Sequence, residues 1–282
     1  MKMELWYTEK QTPYVGFSCK IKETLFTAKT QYQELAVLDT IPFGRMLVLD
    51  GMVMLTAADE FVYHEMIVHP SMRAHPAPRV VVVVGGGDGG TVREICKYPS
   101  VEKIFLVEID GEVVEASRRF FPELSSCLDD PRVEVCIADG IEFVRSLESF
   151  CDLIIIDSTE PVGPAAGLFE TEFYETVFRA LKEDGIMVAQ SESPFYNGDL
   201  IRAVFSRVKK IFPAAYFYLA AIPTYPSGLW SFTMGSKKYD PRRPQGVYTP
   251  PGTRYYSPEI HTSSLVLPKF VQDLLDDHET WV

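Results

Sequence analysis

The chain has 282 residues, 46% of them hydrophobic, which suffices to bury a full core and gives no sign of disorder. Its formal net charge of −12 argues against nucleic acid or an acidic membrane as a partner, since both need basic surface, and leaves small cations as favoured ligands. Five cysteines (Cys19, Cys96, Cys127, Cys136 and Cys151), odd in number and never in a C-x-x-C pair, suggest neither a disulfide framework nor zinc; most read as small buried residues.

The N-terminal residues lack the apolar stretch of a signal peptide, and no apolar run approaches the ~18 residues of a membrane span, so the cytoplasm is the expected compartment. Residues 1–60 alternate short β-type runs with turn signals: Ser18 to Thr27, Glu34 to Asp39, Met46 to Leu49 and Met52 to Thr56, the last two joined by the hairpin signal Asp50-Gly51. They predict a small antiparallel β domain. From Ala58 the pattern turns helical through Phe61, Tyr63, Met66 and Ile67, and Pro70 to Pro78 reads as a proline-rich connection into a second domain over 61–282.

That domain opens on the run Val80 to Val84. Further apolar runs at Ile104 to Val107, Val133 to Ile137, Leu153 to Ile156 and Ile186 to Ala189 alternate with helical patterns, as in a doubly wound parallel sheet. The final pair, Tyr216 to Ile222 and Leu229 to Met234, leaves no room for a helix between its members and predicts an antiparallel hairpin. The expected class is α/β, with a methyltransferase-like sheet.

Gly85-Gly86-Gly87-Asp88-Gly89-Gly90 follows the valine strand and fits G-x-G-x-x-G at Gly85, Gly87 and Gly90, with Thr91 and Glu94 placed as a capping box for the next helix. Such loops usually cradle phosphate, but Asp88 would repel a pyrophosphate and attract a positively charged nucleoside. Twenty residues on, Glu108 closes the second strand, where its carboxylate can accept both ribose hydroxyls. Asp139-Gly140 closes the third strand near the expected position of an adenine amino group, and Asp157 closes the fourth, opening Asp157-Ser158-Thr159-Glu160-Pro161. Because ligands sit beyond the carboxyl ends of the strands, Asp88, Glu108, Asp139 and Asp157 should converge on one crevice with Glu160 nearby. Such a cluster calls for a polycation. Residues 159–168, with two prolines and two glycines, fit either a lid or a plain surface loop. His64-Glu65 with His69 has the wrong spacing for zinc, about 140° around a helix, so no metal is expected; His64 beside Tyr63 reads as a crevice wall.

Gly-Gly-Gly-Asp-Gly-Gly, Val-Glu-Ile-Asp, Ala-Asp-Gly, Asp-Ser-Thr-Glu-Pro and Ile-Pro-Thr-Tyr-Pro-Ser-Gly-Leu-Trp-Ser-Phe, with Tyr32-Gln33 and Phe61 to Met66, together resemble the spermidine synthase family of polyamine aminopropyltransferases. The resemblance implies transfer of an aminopropyl group from decarboxylated S-adenosylmethionine, a co-substrate, to putrescine, with no separate cofactor. It implies that Gln33, Glu108, Asp139, Gly140 and Pro164 join the glycine loop in binding the nucleoside. His64, Asp88, Asp157, Ser158, Thr159, Glu160 and Tyr225, with Tyr63, would line the amine and aminopropyl sites, and Asp157 would accept the proton. A homodimer or homotetramer is the family expectation. Glu160 departs from the aspartate many members carry, which bears on acceptor choice. The alternatives are transfer to agmatine, cadaverine or another polyamine, an S-adenosylmethionine-dependent amine N-methyltransferase on the same fold, and a noncatalytic polyamine-binding protein.

Overall fold

A computed structural model describes residues 4–159, 163–245 and 248–276. The N-terminal part forms an antiparallel sheet in chain order: β1 (Leu5–Lys10), β2 (Gly16–Lys29), β3 (Glu34–Thr40), β4 (Gly44–Leu49) and β5 (Met52–Thr56). Asp50 and Gly51 both adopt positive φ, 50° and 79°, which the tight turn between β4 and β5 requires. The sequence pattern did not single out β1, whose residues are mostly exposed and carry no apolar alternation.

The second sheet contains β6 (Val80–Gly85), β7 (Lys103–Glu108), β8 (Val133–Ile137), β9 (Cys151–Asp157), β10 (Leu181–Gln190), β11 (Ala214–Ala221) and β12 (Leu229–Ser236), in the spatial order β11-β12-β10-β9-β6-β7-β8. Strands β6 to β10 pair in parallel, and β12 runs antiparallel to both its neighbours. This is the expected methyltransferase-like arrangement with a C-terminal hairpin. The helices are α1 (Glu60–Ala74), α2 (Gly90–Cys96), α3 (Gly111–Phe120), α4 (Gly140–Arg145), α5 (Thr171–Ala180), α6 (Gly198–Ile211), α7 (Pro258–Ser264) and α8 (Lys269–Leu275).

Strand periodicity of two divides the valine run between opposite faces. Val81 and Val83 pack with Ile155, Val188 and residues of α1 and α2, whereas Val82 and Val84 pack with Ile154, Ile156 and residues of α4, α5 and α6. The N-terminal sheet packs Leu35, Leu47 and Leu55 against Val113 and Ala116 of α3, which places it over one end of the parallel sheet. Among the described residues no helix is long and apolar enough to cross a membrane.

Two local expectations fail. Pro70 does not begin a connection; α1 continues through it to Ala74. Proline removes the N–H that would bond the Met66 carbonyl, and Tyr218 of β11 supplies the missing donor, its hydroxyl bonding that carbonyl at 2.9 Å. The capping box also does not form, since Gly89 caps α2, Thr91 Oγ1 donates to Asp157 and Glu94 engages His69.

Later segments of the chain hold α1 in place. Glu65 accepts the backbone N–H groups of Arg254, Tyr255 and Tyr256 at 2.8, 2.8 and 2.7 Å, and Asp59 accepts the backbone N–H and hydroxyl of Thr224 at 3.0 and 2.8 Å. Tyr218→Phe should leave the Met66 carbonyl buried without a donor and lower unfolding free energy by ~1–3 kcal/mol in urea titration; an unchanged midpoint would show that the hydroxyl does not support the proline-containing turn.

Candidate active site

Strand register assembles the site. Gly85 pairs with Asp157 and Glu108 with Ile137, so the glycine turn and the strand-end carboxylates lie along one edge of the sheet. A cavity of about 190 Å³ opens there, lined by Gln33, Tyr63, His64, Gly85, Gly87, Asp88, Glu108, Asp139, Gly140, Asp157, Ser158, Thr159 and Tyr225. Glu160 lies outside the described residues. The backbone of Pro164 belongs to the 3-10 turn Gly163–Phe169, whose Ala165 and Leu168 also line the cavity, while the side chain of Pro164 is outside the described set.

The two central carboxylates differ. Asp157 accepts the Tyr63 and Thr91 hydroxyls, each at 2.6 Å, and burial together with the nearby Asp88 anion pushes its carboxyl above the ordinary range. For Asp88 burial acts in the same upward direction, but His64 at 3.2 Å and the Gly90 N–H at 2.7 Å outweigh it and hold the carboxyl low. His64 sits between two acids, its Nδ1 2.7 Å from Glu60 and its Nε2 facing Asp88. Burial alone would favour the neutral ring, yet Asp88 and Glu60 push it up to about 10, so the ring is an imidazolium at neutral pH.

Behind it Arg93 forks onto Glu60 at 3.0 and 2.9 Å and reaches Glu94, which also meets His69. The buried charges are therefore paired rather than isolated. The glycines serve this packing. A Cβ on Gly90 would stand 2.4 Å from the His64 ring, and one on Gly87 would stand 2.9 Å from Glu108.

At the nucleoside end, burial pushes Glu108 up to about 7 against the pull of the Asp110 and Gly87 N–H groups, at 2.9 and 3.1 Å. Asp110, which the sequence reading gave no role, caps α3 and holds Gln33 Nε2 at 2.9 Å. Its signal was present as an N-cap aspartate two residues after Glu108. Asp139 is also a helix cap, its Oδ1 accepting the Ile141 and Glu142 N–H groups at 2.8 and 3.3 Å.

A smaller cavity of about 40 Å³ shares Tyr63, Ser158, Thr159 and Tyr225 with the larger one and reaches Glu9, Gln190, Glu192 and Trp230. Sequence reasoning missed these four. A polar run, Gln190-Ser191-Glu192-Ser193, directly after an apolar strand was the available signal for two of them. Gln190 Nε2 donates to Glu192 at 3.1 Å, and the Tyr225 hydroxyl donates to the Met54 carbonyl at 2.6 Å. Among the described residues Trp230 Nε1 and Ser158 Oγ are buried without a partner, a cost that a ligand in this cavity would relieve.

His64, Asp88 and Asp157 bring one potential ligand atom each within 4.8 Å of one another, the spacing of a metal site. Both ring nitrogens of His64 already face carboxylates, Nδ1 that of Glu60 and Nε2 that of Asp88.

The sequence model for the spermine/spermidine synthase domain matches residues 60–243, and that for the spermidine synthase tetramerisation domain matches residues 5–57. The chain belongs to the spermine/spermidine synthase family. It is 58% identical over 276 residues to the polyamine aminopropyltransferase of Caldicellulosiruptor saccharolyticus, covering 98% of this chain and 99% of that one. The corresponding protein of a Thermoanaerobacter species is 54% identical over 276 residues, covering 98% and 100%. A spermidine synthase crystallised with the transition-state analogue AdoDATO superposes with a TM-score of 0.91 at 41% identity, over 96% of this chain and 95% of that one. The spermidine synthase of Thermotoga maritima gives 0.88 at 40% identity, over 96% and 94%. As a member of this synthase family the protein is an enzyme, a polyamine aminopropyltransferase by class.

Because the folded His64 ring titrates above its ordinary 6.5, its ion pairs stabilise the fold fully below that pH and are lost as pH rises towards about 10. NMR titration of the ligand-free enzyme should place the His64 midpoint near the upper value, and Asp88→Asn should lower it. A wild-type midpoint near 6.5 would show that the ring is neutral when the enzyme is at pH 7.

Proposed function

We propose that this enzyme transfers the aminopropyl group of decarboxylated S-adenosylmethionine to putrescine, giving spermidine and 5′-methylthioadenosine. The observation that carries the proposal is the pair of abutting cavities. One combines Glu108, Asp139 and Gln33 with Asp88; the other is a narrow branch with an aromatic wall and two buried glutamates, Glu9 and Glu192. A nucleoside bearing a short cationic arm suits the first, and an unbranched diamine suits the second.

In this reading Glu108 accepts the ribose hydroxyls, the Asp139-Gly140 turn meets the adenine and Gln33, held by Asp110, completes the nucleoside site, with Ala165 and Leu168 also lining it. Asp88 holds the terminal ammonium of the donor. Intact S-adenosylmethionine carries a carboxylate at that end and would be repelled by Asp88, which disfavours the N-methyltransferase reading. Glu9 and Glu192 take the distal ammonium of the acceptor, and Tyr63, His64, Ser158, Thr159 and Tyr225 surround its reacting end.

The sulfonium is already an activated leaving group, so the reaction needs positioning, removal of water and a neutral amine rather than a metal or redox cofactor. Free alkylammonium titrates near ~10, and a carboxylate on the attacking nitrogen can take its proton. Asp157 fits that task, since its raised proton affinity makes it a stronger base than an exposed aspartate. The nitrogen attacks the methylene beside sulfur, the C–S bond breaks with its electron pair passing to sulfur, and the proton goes to Asp157. We further propose that the protein is a cytoplasmic homo-oligomer assembled through the N-terminal sheet, whose edge strand β1 exposes Leu5 and Trp6.

Mass spectrometry of reactions containing decarboxylated S-adenosylmethionine and putrescine, cadaverine, agmatine or spermidine should show spermidine and methylthioadenosine formed preferentially from putrescine. Preference for another amine would reassign the acceptor, and methylated products from intact S-adenosylmethionine would overturn the role of Asp88. Asp157→Asn should lower turnover by ~10² or more while donor binding persists; undiminished turnover would remove it as the base. Light scattering of Trp6→Glu should report a smaller particle than wild type, and unchanged mass would move the contact elsewhere.

A further inference from the structure

Glu60, His64, Asp88 and Arg93 close a ring of contacts between two helices. Glu60 and His64 stand one turn apart on α1, whereas Asp88 on the glycine turn and Arg93 on α2 belong to the facing segment. His64 Nδ1 lies 2.7 Å from Glu60 Oε2, and its Nε2 lies 3.2 Å from Asp88 Oδ1. Arg93 completes the ring. Its Nη1 and Nη2 donate to the two oxygens of Glu60 at 3.0 and 2.9 Å, and its Nε donates to Glu94 at 2.9 Å.

Glu60 and Arg93 do not line either cavity, so any effect they have on a ligand runs through the ring. His64 is buried, and Gly90 presses so near it that a Cβ there would stand 2.4 Å away. The backbone thus bars one side of the ring while Glu60 fixes Nδ1. On Asp88 the ring and the Gly90 N–H, at 2.7 Å, both fall on Oδ1, which orients the carboxylate and leaves Oδ2 for a cation in the cavity that Asp88 lines. A carboxylate gripped by both prongs of a guanidinium keeps one orientation, which the single ammonium of a lysine would not impose. Buried ion pairs are weak evidence for stability, so what this one orients is the more telling feature.

We propose that Glu60 and Arg93 are positioning residues for the aminopropyl donor: they hold the His64 ring against Asp88 Oδ1 and so set the direction in which Asp88 meets the donor's terminal ammonium. The inference rests on the reading that Asp88 binds that ammonium. It leaves the nucleoside contacts of Gln33, Glu108 and Asp139 untouched, because none of these side chains belongs to the ring of contacts. Loss of Glu60 or Arg93 therefore weakens ligands that carry the cationic arm and spares those that lack it.

The test is calorimetric titration of the full-length enzyme with decarboxylated S-adenosylmethionine and with 5′-methylthioadenosine, which has the same nucleoside without the arm. Asp88→Asn should weaken the first and spare the second; unchanged donor affinity in that variant would remove the reading of Asp88 and this inference with it. Where Asp88→Asn behaves as expected, Glu60→Gln and Arg93→Gln should each weaken the donor by ~10-fold or more and change methylthioadenosine by less than ~2-fold. Arg93→Lys, which keeps the buried charge and serves if the glutamine variants do not fold, should also weaken the donor selectively. In the Asp88→Asn background Glu60→Gln should add no further loss, since it acts through Asp88. Lys97→Gln, which removes a 2.5 Å contact to Glu94 without touching Glu60, should change neither affinity. Equal weakening of both ligands, additive losses in the double variant, a donor loss in Lys97→Gln matching that of Arg93→Gln, or full donor affinity in Glu60→Gln and Arg93→Gln would each overturn the proposal.

Discussion

Two carboxylates, Asp88 and Asp157, face each other at the end of a parallel sheet, and their mutual repulsion sets the terms for everything packed around them. Two equally ionised acids in such a place would be costly. The fold separates their characters, since Asp88 has the His64 ring at 3.2 Å and a backbone N–H, whereas among the described residues Asp157 accepts the Tyr63 and Thr91 hydroxyls. One is thereby a fixed anion and the other a group ready to take a proton. Tyr63 and His64, adjacent on α1, each attend to one of them, so the position and rotation of that helix matter more than its hydrophobicity.

The glycine turn takes on a different meaning in this light. Its pattern is the one that elsewhere lets backbone approach a phosphate. Here much of the space left by absent side chains is filled by the protein's own groups, the His64 ring against Gly90 and the Glu108 carboxylate against Gly87. The turn is narrow because acids and a cation crowd it from behind, and Arg93, Glu60 and Glu94 carry that charge pairing back into the core.

The valine run, the Asp50-Gly51 hairpin and the closing antiparallel pair were legible because each is a local pattern whose structural meaning does not depend on distant residues. The acids at strand ends were legible for a related reason: once a strand is recognised, its carboxyl end is known. Pro70 was misread because its remedy is the hydroxyl of Tyr218, 152 residues away. Thr91 and Glu94 were misread because Asp157 and His69 compete successfully for side chains that local spacing had assigned to a cap. Glu9 escaped notice because it sits on a mostly exposed edge strand, and its burial is created by packing that no local pattern records.

Helix α1 also ties the birth of the site to the end of the chain. Glu65 finds its backbone partners 189 to 191 residues later, and the Met66 carbonyl and Asp59 wait 152 and 165 residues for theirs. During synthesis from the N-terminus, the helix bearing Tyr63 and His64 emerges long before the groups that satisfy its polar atoms. A nascent chain halted before residue 250 would hold the whole parallel core of the sheet, yet the helix bearing Tyr63 and His64 would still lack the clamp on Glu65. The polar contacts that hold this helix are thus completed only after residues 254–256 have been added.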